Sequence, residues 1–274
     1  MSQALPEGAH ENFDDDTYHQ RELGVASKSA LDKVHRSPAH YKAWVDGDVV
    51  DEEREALAFG KAFHAAVLEP AKWAARYAVQ PYFGDGRTKE AKAAKAEWLA
   101  RNAGKTPIAP ADYAKIEAMA ASVFSHPLAS KLVTGGRAEL TLRWVDEATG
   151  LPCKGRVDYL TMGDRVMVDL KSAVSADFKE FSRSCAKYGY HRQNAFYMDG
   201  ARALGMPTDN FLFVVVEKDP PYAVAVYSIR ESDVQKGRDS IRDDLETLAG
   251  CMRSGVWSAY PVRIQELDLP PWAA

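Results

Sequence analysis

The spacing of apolar positions divides the chain into a helical first half and a strand-bearing second half. Ser27 stands where a helix N-cap would, ahead of SALDKVH, and Ser37 followed by Pro38 repeats the signal. Residues 51–68 (DEEREALAFGKAFHAAVL) predict a strong helix. Acids crowd its first turn, Phe59, Phe63 and Val67 recur at four-residue spacing, and Pro70 closes it. Residues 81–88 read as a loop, and 89–103 and 110–124 as two more helices. Then the period changes. Residues 139–145 (ELTLRWV), 153–160 (CKGRVDYL) and 165–171 (RVMVDLK) form strands joined by turns at EATG and TMGD, a three-stranded meander. Helices over 176–187 and 190–204 follow, then strands over 211–217 and 222–229 and a long amphipathic helix over 232–253.

This order predicts one α/β domain over 23–274, with a helical part at about 23–130 and a sheet core at about 137–260. The polar, acidic residues 1–22 are expected to be flexible.

Composition changes the picture only in part. The 274 residues carry 35 Lys and Arg against 39 Asp and Glu, a net charge of −4. That excludes a strongly basic DNA-coating protein but not an enzyme with a local basic groove. No apolar run approaches the ~18 residues of a membrane span, and residues 211–216 (FLFVVV) read as a buried strand. No secretory signal is visible, so no membrane partner and a cytoplasmic location are expected. Cys153, Cys185 and Cys251 are too few for a four-cysteine metal site and read as reduced thiols.

Three groups of residues could carry chemistry. Asp169 and Lys171 lie two apart on one strand and so share a face, and the neighbouring strand can bring Asp158 beside Asp169. Two adjacent carboxylates repel, and a hard divalent cation relieves that conflict. Oxygen ligands favour Mg²⁺, with Mn²⁺ as a substitute. His64 follows Gly60 by one helical turn, so a missing side chain leaves space near an imidazole. Gln193 and Tyr197 project from one helix face. Taken singly, each has an ordinary explanation: a solvated strand face, a core histidine beside a packing glycine, an amphipathic surface pair.

The conjunction is more specific. GKAFH, GRVD, DLK and QNAFY fit GxxxH, GxxD, DxK and QxxxY in that order, on helix, strand, strand and helix. This set resembles the RecB-like branch of the PD-(D/E)xK nuclease superfamily. The segments SKSALDKVHRSPAHYKAW and ALAFGKAFHAAVLEP, with residues 139–197, further resemble the RecE-type (exodeoxyribonuclease VIII-like) exonucleases of phages and prophages.

The resemblance implies a PD-(D/E)xK restriction-endonuclease-like core, a central mixed sheet flanked by helices with a helical N-terminal elaboration. It implies a Mg²⁺-dependent exonuclease that digests linear double-stranded DNA from its 5′ ends in the cytoplasm of a bacterium or phage-infected host. The 3′ overhangs left would suit a single-strand annealing protein, and a ring-shaped homo-oligomer is implied. It gives His64, Asp158, Asp169 and the Leu170 carbonyl to the metal, and the attacking water to Lys171. Gln193 would orient water or phosphate, and Tyr197 would support it or touch DNA. Glu139 matches an acidic position and would hold a second metal or a bound water. Tyr190, His191, Arg192, Arg137, Lys154, Arg156 and Ser29 would meet DNA, with ordinary solvated charge or helix capping as the competing account of each.

Two other readings stay open: a structure-selective or single-strand endonuclease, and a non-catalytic DNA-binding recombination accessory protein. AGKT at 103–106 is not a phosphate loop, because Leu99 stands where GxxxxGK[ST] needs glycine. Basic residues are expected to gather around Asp158 and Asp169.

Overall fold

The computed structural model describes residues 6–49 and 55–269. Part of the N-terminal segment expected to be flexible is instead built into the fold. It forms β1 (Gly8–His10), antiparallel to residues 141–143, and α1 (Asp15–His19), capped by Asp14 through the Thr17 amide at 2.8 Å. Ser27 and Ser37 cap α2 (Lys28–Arg36) and α3 (Pro38–Asp46), as their positions predict. In α4 (Glu55–Leu68) the Phe63 and Val67 side chains are buried and Phe59 packs beside them. The acids expected at the start of this helix, at 51–54, lie outside the described residues. Pro70, expected only to end the helix, also opens α5 (Pro70–Arg76), where its missing amide costs nothing.

Then come β2 (Tyr77–Val79), α6 (Lys89–Arg101), β3 (Thr106–Ile108) parallel to β2, α7 (Pro110–Ser125) and α8 (Ala129–Leu132).

The meander is β4 (Arg137–Val145), β5 (Pro152–Leu160) and β6 (Val166–Ala173). Helices α9 (Phe178–Tyr188) and α10 (Tyr190–Ala203) cross over to β7 (Asn210–Glu217), which runs parallel to β6. β8 (Val224–Tyr227) and α11 (Glu231–Ser254) follow. The mixed sheet has the order β1-β4-β5-β6-β7-β8.

Helices cover both faces, which is why FLFVVV is apolar throughout. Phe211, Phe213 and Val215 face a core with Leu31, Tyr41, Phe196 and Ile241. Val214 and Val216 face Phe63, Ile116, Met119 and Leu170. Helices α10 and α11 approach closely at Gly237, where an added Cβ would stand 2.5 Å from the His191 carbonyl oxygen. The predicted α/β architecture, a central mixed sheet flanked by helices, is the one observed.

Candidate active site

The site forms where two strands part. β5 and β6 pair at Tyr159–Val168 and Leu160–Met167 only. Continuing that register would set Asp158 opposite Asp169. Where the ladder stops, a side chain takes over: Asp158 Oδ2 accepts from the Leu170 amide at 2.9 Å. This bond holds Asp158 against the strand that carries Asp169 and Lys171. From α4, His64 Nδ1 stands 3.6 Å from the same oxygen. From α10, Gln193 Nε2 donates to Asp169 Oδ1 at 2.5 Å. Lys171 Nζ lies 2.6 Å from Asp169 Oδ2 and 4.8 Å above the Tyr190 ring.

Burial sets the electrostatics. Asp169 is 2% exposed, and burial holds its carboxyl above the usual range against the pull of Lys171. Burial alone would lower Lys171, but the Asp169 and Asp158 carboxylates outweigh it and keep the ammonium above the ordinary lysine value. Lys171 therefore stands as a cation, suited to steadying negative charge. Glu139 takes φ +50° across from Asp158, and burial, then Asp158, push its carboxyl up.

A cavity of about 720 Å³ opens beside these groups. Of the expected residues, Ser29, His64, Glu139, Arg156, Asp158 and Tyr197 line it. Gly60 lines it too, and a Cβ there would meet nothing within 4 Å, in keeping with the space expected beside His64. Asp169, Lys171 and Gln193 are not among its lining residues; they connect to it through the bond from the Leu170 amide to Asp158.

Several expected DNA contacts are used otherwise. Arg192 is 5% exposed and bound to Asp244 at 2.6 Å; it ties α10 to α11 and is not placed to meet DNA. Arg137 pairs with Asp164 at 2.6 Å and with Glu11, away from the cavity. Lys154 is buried, donating to the Gln20 carbonyl at 2.8 Å. Tyr197 is buried against Gly155, which makes it a support for the wall. Tyr190 stacks on Tyr188 and Phe213 beneath Lys171, and His191 lies on a different cavity. Arg156 lines the site but is held by Asp15 at 2.6 Å and covers the Tyr18 ring at 4.0 Å.

The cavity wall also contains residues that the sequence did not single out: Asp15, Tyr18, Lys61, Glu69, Lys72 and Arg76. Two local spacings carry a signal: Glu69–Lys72, an i,i+3 ion pair at 2.7 Å, and Asp15–His19, an i,i+4 pair at 3.3 Å. The expected gathering of basic residues, with the acidic excess elsewhere, is not observed. Lys61, Lys72, Arg76 and Arg156 share the wall with Asp14, Asp15, Glu69, Glu139 and Asp158, and Glu69 engages both Lys72 and Arg76.

Among the described residues, no three His, Cys, Asp or Glu side chains form a ready-made metal cluster. The Leu170 amide and Gln193 hydrogen-bond the Asp158 and Asp169 carboxylates, and Lys171 pairs with Asp169 as an ion. The donors nonetheless fit a hard divalent cation. They comprise two carboxylates and an imidazole, and the buried Asp169 Oδ2 lacks any hydrogen-bond partner even with Lys171 beside it. Cys153, Cys185 and Cys251 are all free thiols. No helix among the described residues is long and apolar enough to cross a membrane.

One solved structure shares this fold. A candidate exonuclease from Eubacterium rectale has a solved structure that superposes with a TM-score of 0.56 at 15% identity, over 94% of each chain, a likeness of fold. A phage-related exonuclease from Haemophilus somnus gives a TM-score of 0.36 at 12% identity, over 85% of this chain and 96% of that one. No curated protein sequence matches. Residues 27–268 match the family described as a PDDEXK-like domain of unknown function (DUF3799). Nucleases of the PD-(D/E)xK type generally use divalent metal ions. With most of its length matched, and with its carboxylates gathered where β5 and β6 part, the chain belongs to this PDDEXK-like family.

Proposed function

We propose that the protein is a Mg²⁺-dependent exonuclease acting on the ends of linear double-stranded DNA, with Mn²⁺ able to substitute. It would digest one strand 5′ to 3′ and leave 3′ overhangs for a single-strand annealing protein in phage-type homologous recombination. A ring-shaped homo-oligomer in the cytoplasm of a bacterium or phage-infected cell completes the reading. The observation that carries it is the joining of Asp158, Asp169, Lys171 and Gln193 across one strand splay.

His64, Asp158 and Asp169 would hold the cation, with the Leu170 carbonyl as a further ligand. Bound there, a divalent ion neutralises phosphate charge and makes water more acidic. The chain does the rest. Gln193 fixes the Asp169 carboxylate, and the Leu170 amide fixes that of Asp158. The Lys171 ammonium, propped on Tyr190, orients water or steadies charge on the scissile phosphate. Glu139 faces the same space and would accept a hydrogen bond from water.

The deciding experiment uses linear duplex DNA labelled at its 5′ or its 3′ end, with a covalently closed circle as control. Early release of the 5′ label, with the circle spared, is the expected result. A cut circle supports the endonuclease reading. DNA binding without cleavage in Mg²⁺ or Mn²⁺ supports the accessory-protein reading.

A further inference from the structure

A second cavity of about 620 Å³ lies between α9, β8 and α11. Its wall combines the Phe178, Phe181 and Tyr227 rings with Arg230 and Lys236. We infer that this groove holds single-stranded DNA, with a base stacked on Phe178 and the backbone beside Arg230. The inference rests on the nuclease reading for the identity of the ligand, and it goes beyond the active site in assigning a second subsite.

Three observations support it. The first is a costly exposure. Phe178 is 70% exposed and Val174, four residues before it, is 85% exposed. Phe178 stands on the groove wall itself, and a large ring in water there calls for a partner with an apolar face.

The second is that this exposure is held in place. Glu217 Oε1 accepts from the Ala176 amide at 2.9 Å and from the Ser175 hydroxyl at 3.3 Å. Tyr227 donates its hydroxyl to the Ala176 carbonyl at 2.6 Å, and Asp177 caps α9 through the Lys179 amide at 2.9 Å. Phe178 is the first residue of that helix. A ring fixed before binding loses little entropy on stacking.

The third is packing contact with the active-site lysine. The Lys171 ammonium lies 4.8 Å from the Tyr190 ring, and Tyr190 lies 5.9 Å from Phe181. Phe181 stacks on Tyr227 at 5.2 Å and 16°, and Phe178 meets the edge of Tyr227 at 6.2 Å. Tyr190 alone thus stands between the lysine and Phe181 of the groove wall. Among the described residues of this wall, Lys236 is paired with Asp233 at 2.7 Å, and Arg230 adds a second, exposed cation. Aromatic faces beside positive charge are the usual means of holding an unpaired strand, since every base offers a π face and every linkage a phosphate.

The test measures binding without cleavage. Full-length protein, Phe178→Ala and Arg230→Ala are titrated in EDTA with short fluorescein-labelled oligo(dT), read by anisotropy, and with an abasic oligomer of equal length. Both side chains are exposed, so both variants should melt like the parent. Phe178→Ala should bind oligo(dT) about tenfold more weakly, the loss of one stacked base, and should bind the abasic strand unchanged. Arg230→Ala should weaken both and lower the salt slope by about one ion. Unchanged oligo(dT) binding by Phe178→Ala overturns the inference, as does equal weakening on the abasic strand. Cleavage of linear duplex is scored separately. A cleaving enzyme with an indifferent Phe178 loses only this groove, and a non-cleaving protein with a sensitive Phe178 loses only the nuclease reading.

Discussion

Glu139 lies directly across the β4–β5 ladder from Asp158, since Ala138 pairs with Tyr159 and Leu140 with Val157 on either side. Its φ of +50° places a non-glycine residue in the left-handed region, a cost on the order of 1–3 kcal/mol. The two carboxylates also repel. Strain and repulsion at one point describe a site kept for a cation at the expense of the metal-free fold. Glu139→Gln keeps the backbone and removes the charge. In EDTA it should melt about 2–4 °C above the parent, the size of a 1 kcal/mol gain in a chain of this length. Mg²⁺ should then stabilise it less than it stabilises the parent. Thermal melts with and without Mg²⁺ check this, and a variant that melts lower in EDTA would contradict it.

Gln193 is argued to act through Asp169, by the 2.5 Å bond to Oδ1. Outer-shell partners of this kind typically contribute 10–100-fold in metal affinity or activity, and Gln193→Ala should fall in about that range. Excess Mg²⁺ should restore part of its rate. Asp169→Asn and Lys171→Met should each lose about 10²–10⁴-fold or more, with no rescue by metal. Initial rates on linear duplex across a Mg²⁺ titration separate the positioning residue from the other two.

The sequence showed the meander and its acids because alternation marks half-buried strands, and Asp169 and Lys171 share a face by that same period. It missed β1 because three residues (GAH) are too few to show a period. It does not reveal α5, because Pro70 marks the end of one helix and suits N1 of the next equally well. The burial of Arg192 is hidden for a different reason. Its neighbours in sequence are site residues, but its partner Asp244 is 52 residues away, on α11. Long-range pairing of charges leaves no local trace, and the same holds for Arg156 with Asp15.

That pairing makes a prediction about Arg192. It is buried with Asp244 at 2.6 Å, and burial holds the Asp244 carboxyl above its ordinary value despite the guanidinium. Arg192→Ala would leave the buried carboxylate with His35 alone, at 3.2 Å, and should cost up to about 3–5 kcal/mol. Urea unfolding of this variant measures that cost. Arg192→Met combined with Asp244→Leu should recover much of it, because replacing a buried ion pair by apolar side chains is often neutral. DNA affinity of the double variant should match that of the parent. A large loss of DNA binding in a well-folded double variant would return Arg192 to the DNA surface.

A pH test can be placed far from the site. Asp146, at the end of β4, receives both terminal nitrogens of Arg242 on α11, at 2.8 and 2.6 Å, and the Thr149 hydroxyl at 2.6 Å. Burial alone would raise its pKa, but the Arg242 and Thr149 hydrogen bonds outweigh burial and hold the carboxyl below its ordinary value. A depressed carboxylate pKa contributes stability that is complete above the unfolded value of about 3.9, and that is lost as pH falls through the folded value. Asp146→Asn should therefore cost about 1–2 kcal/mol at neutral pH, allowing for the partly solvated guanidinium. The gap between variant and parent should close progressively in acid. Urea unfolding at neutral pH and at steps below pH ~4 follows it. A gap that stays constant into acid would show that the hydrogen bonds, and not the charge, tie β4 to α11.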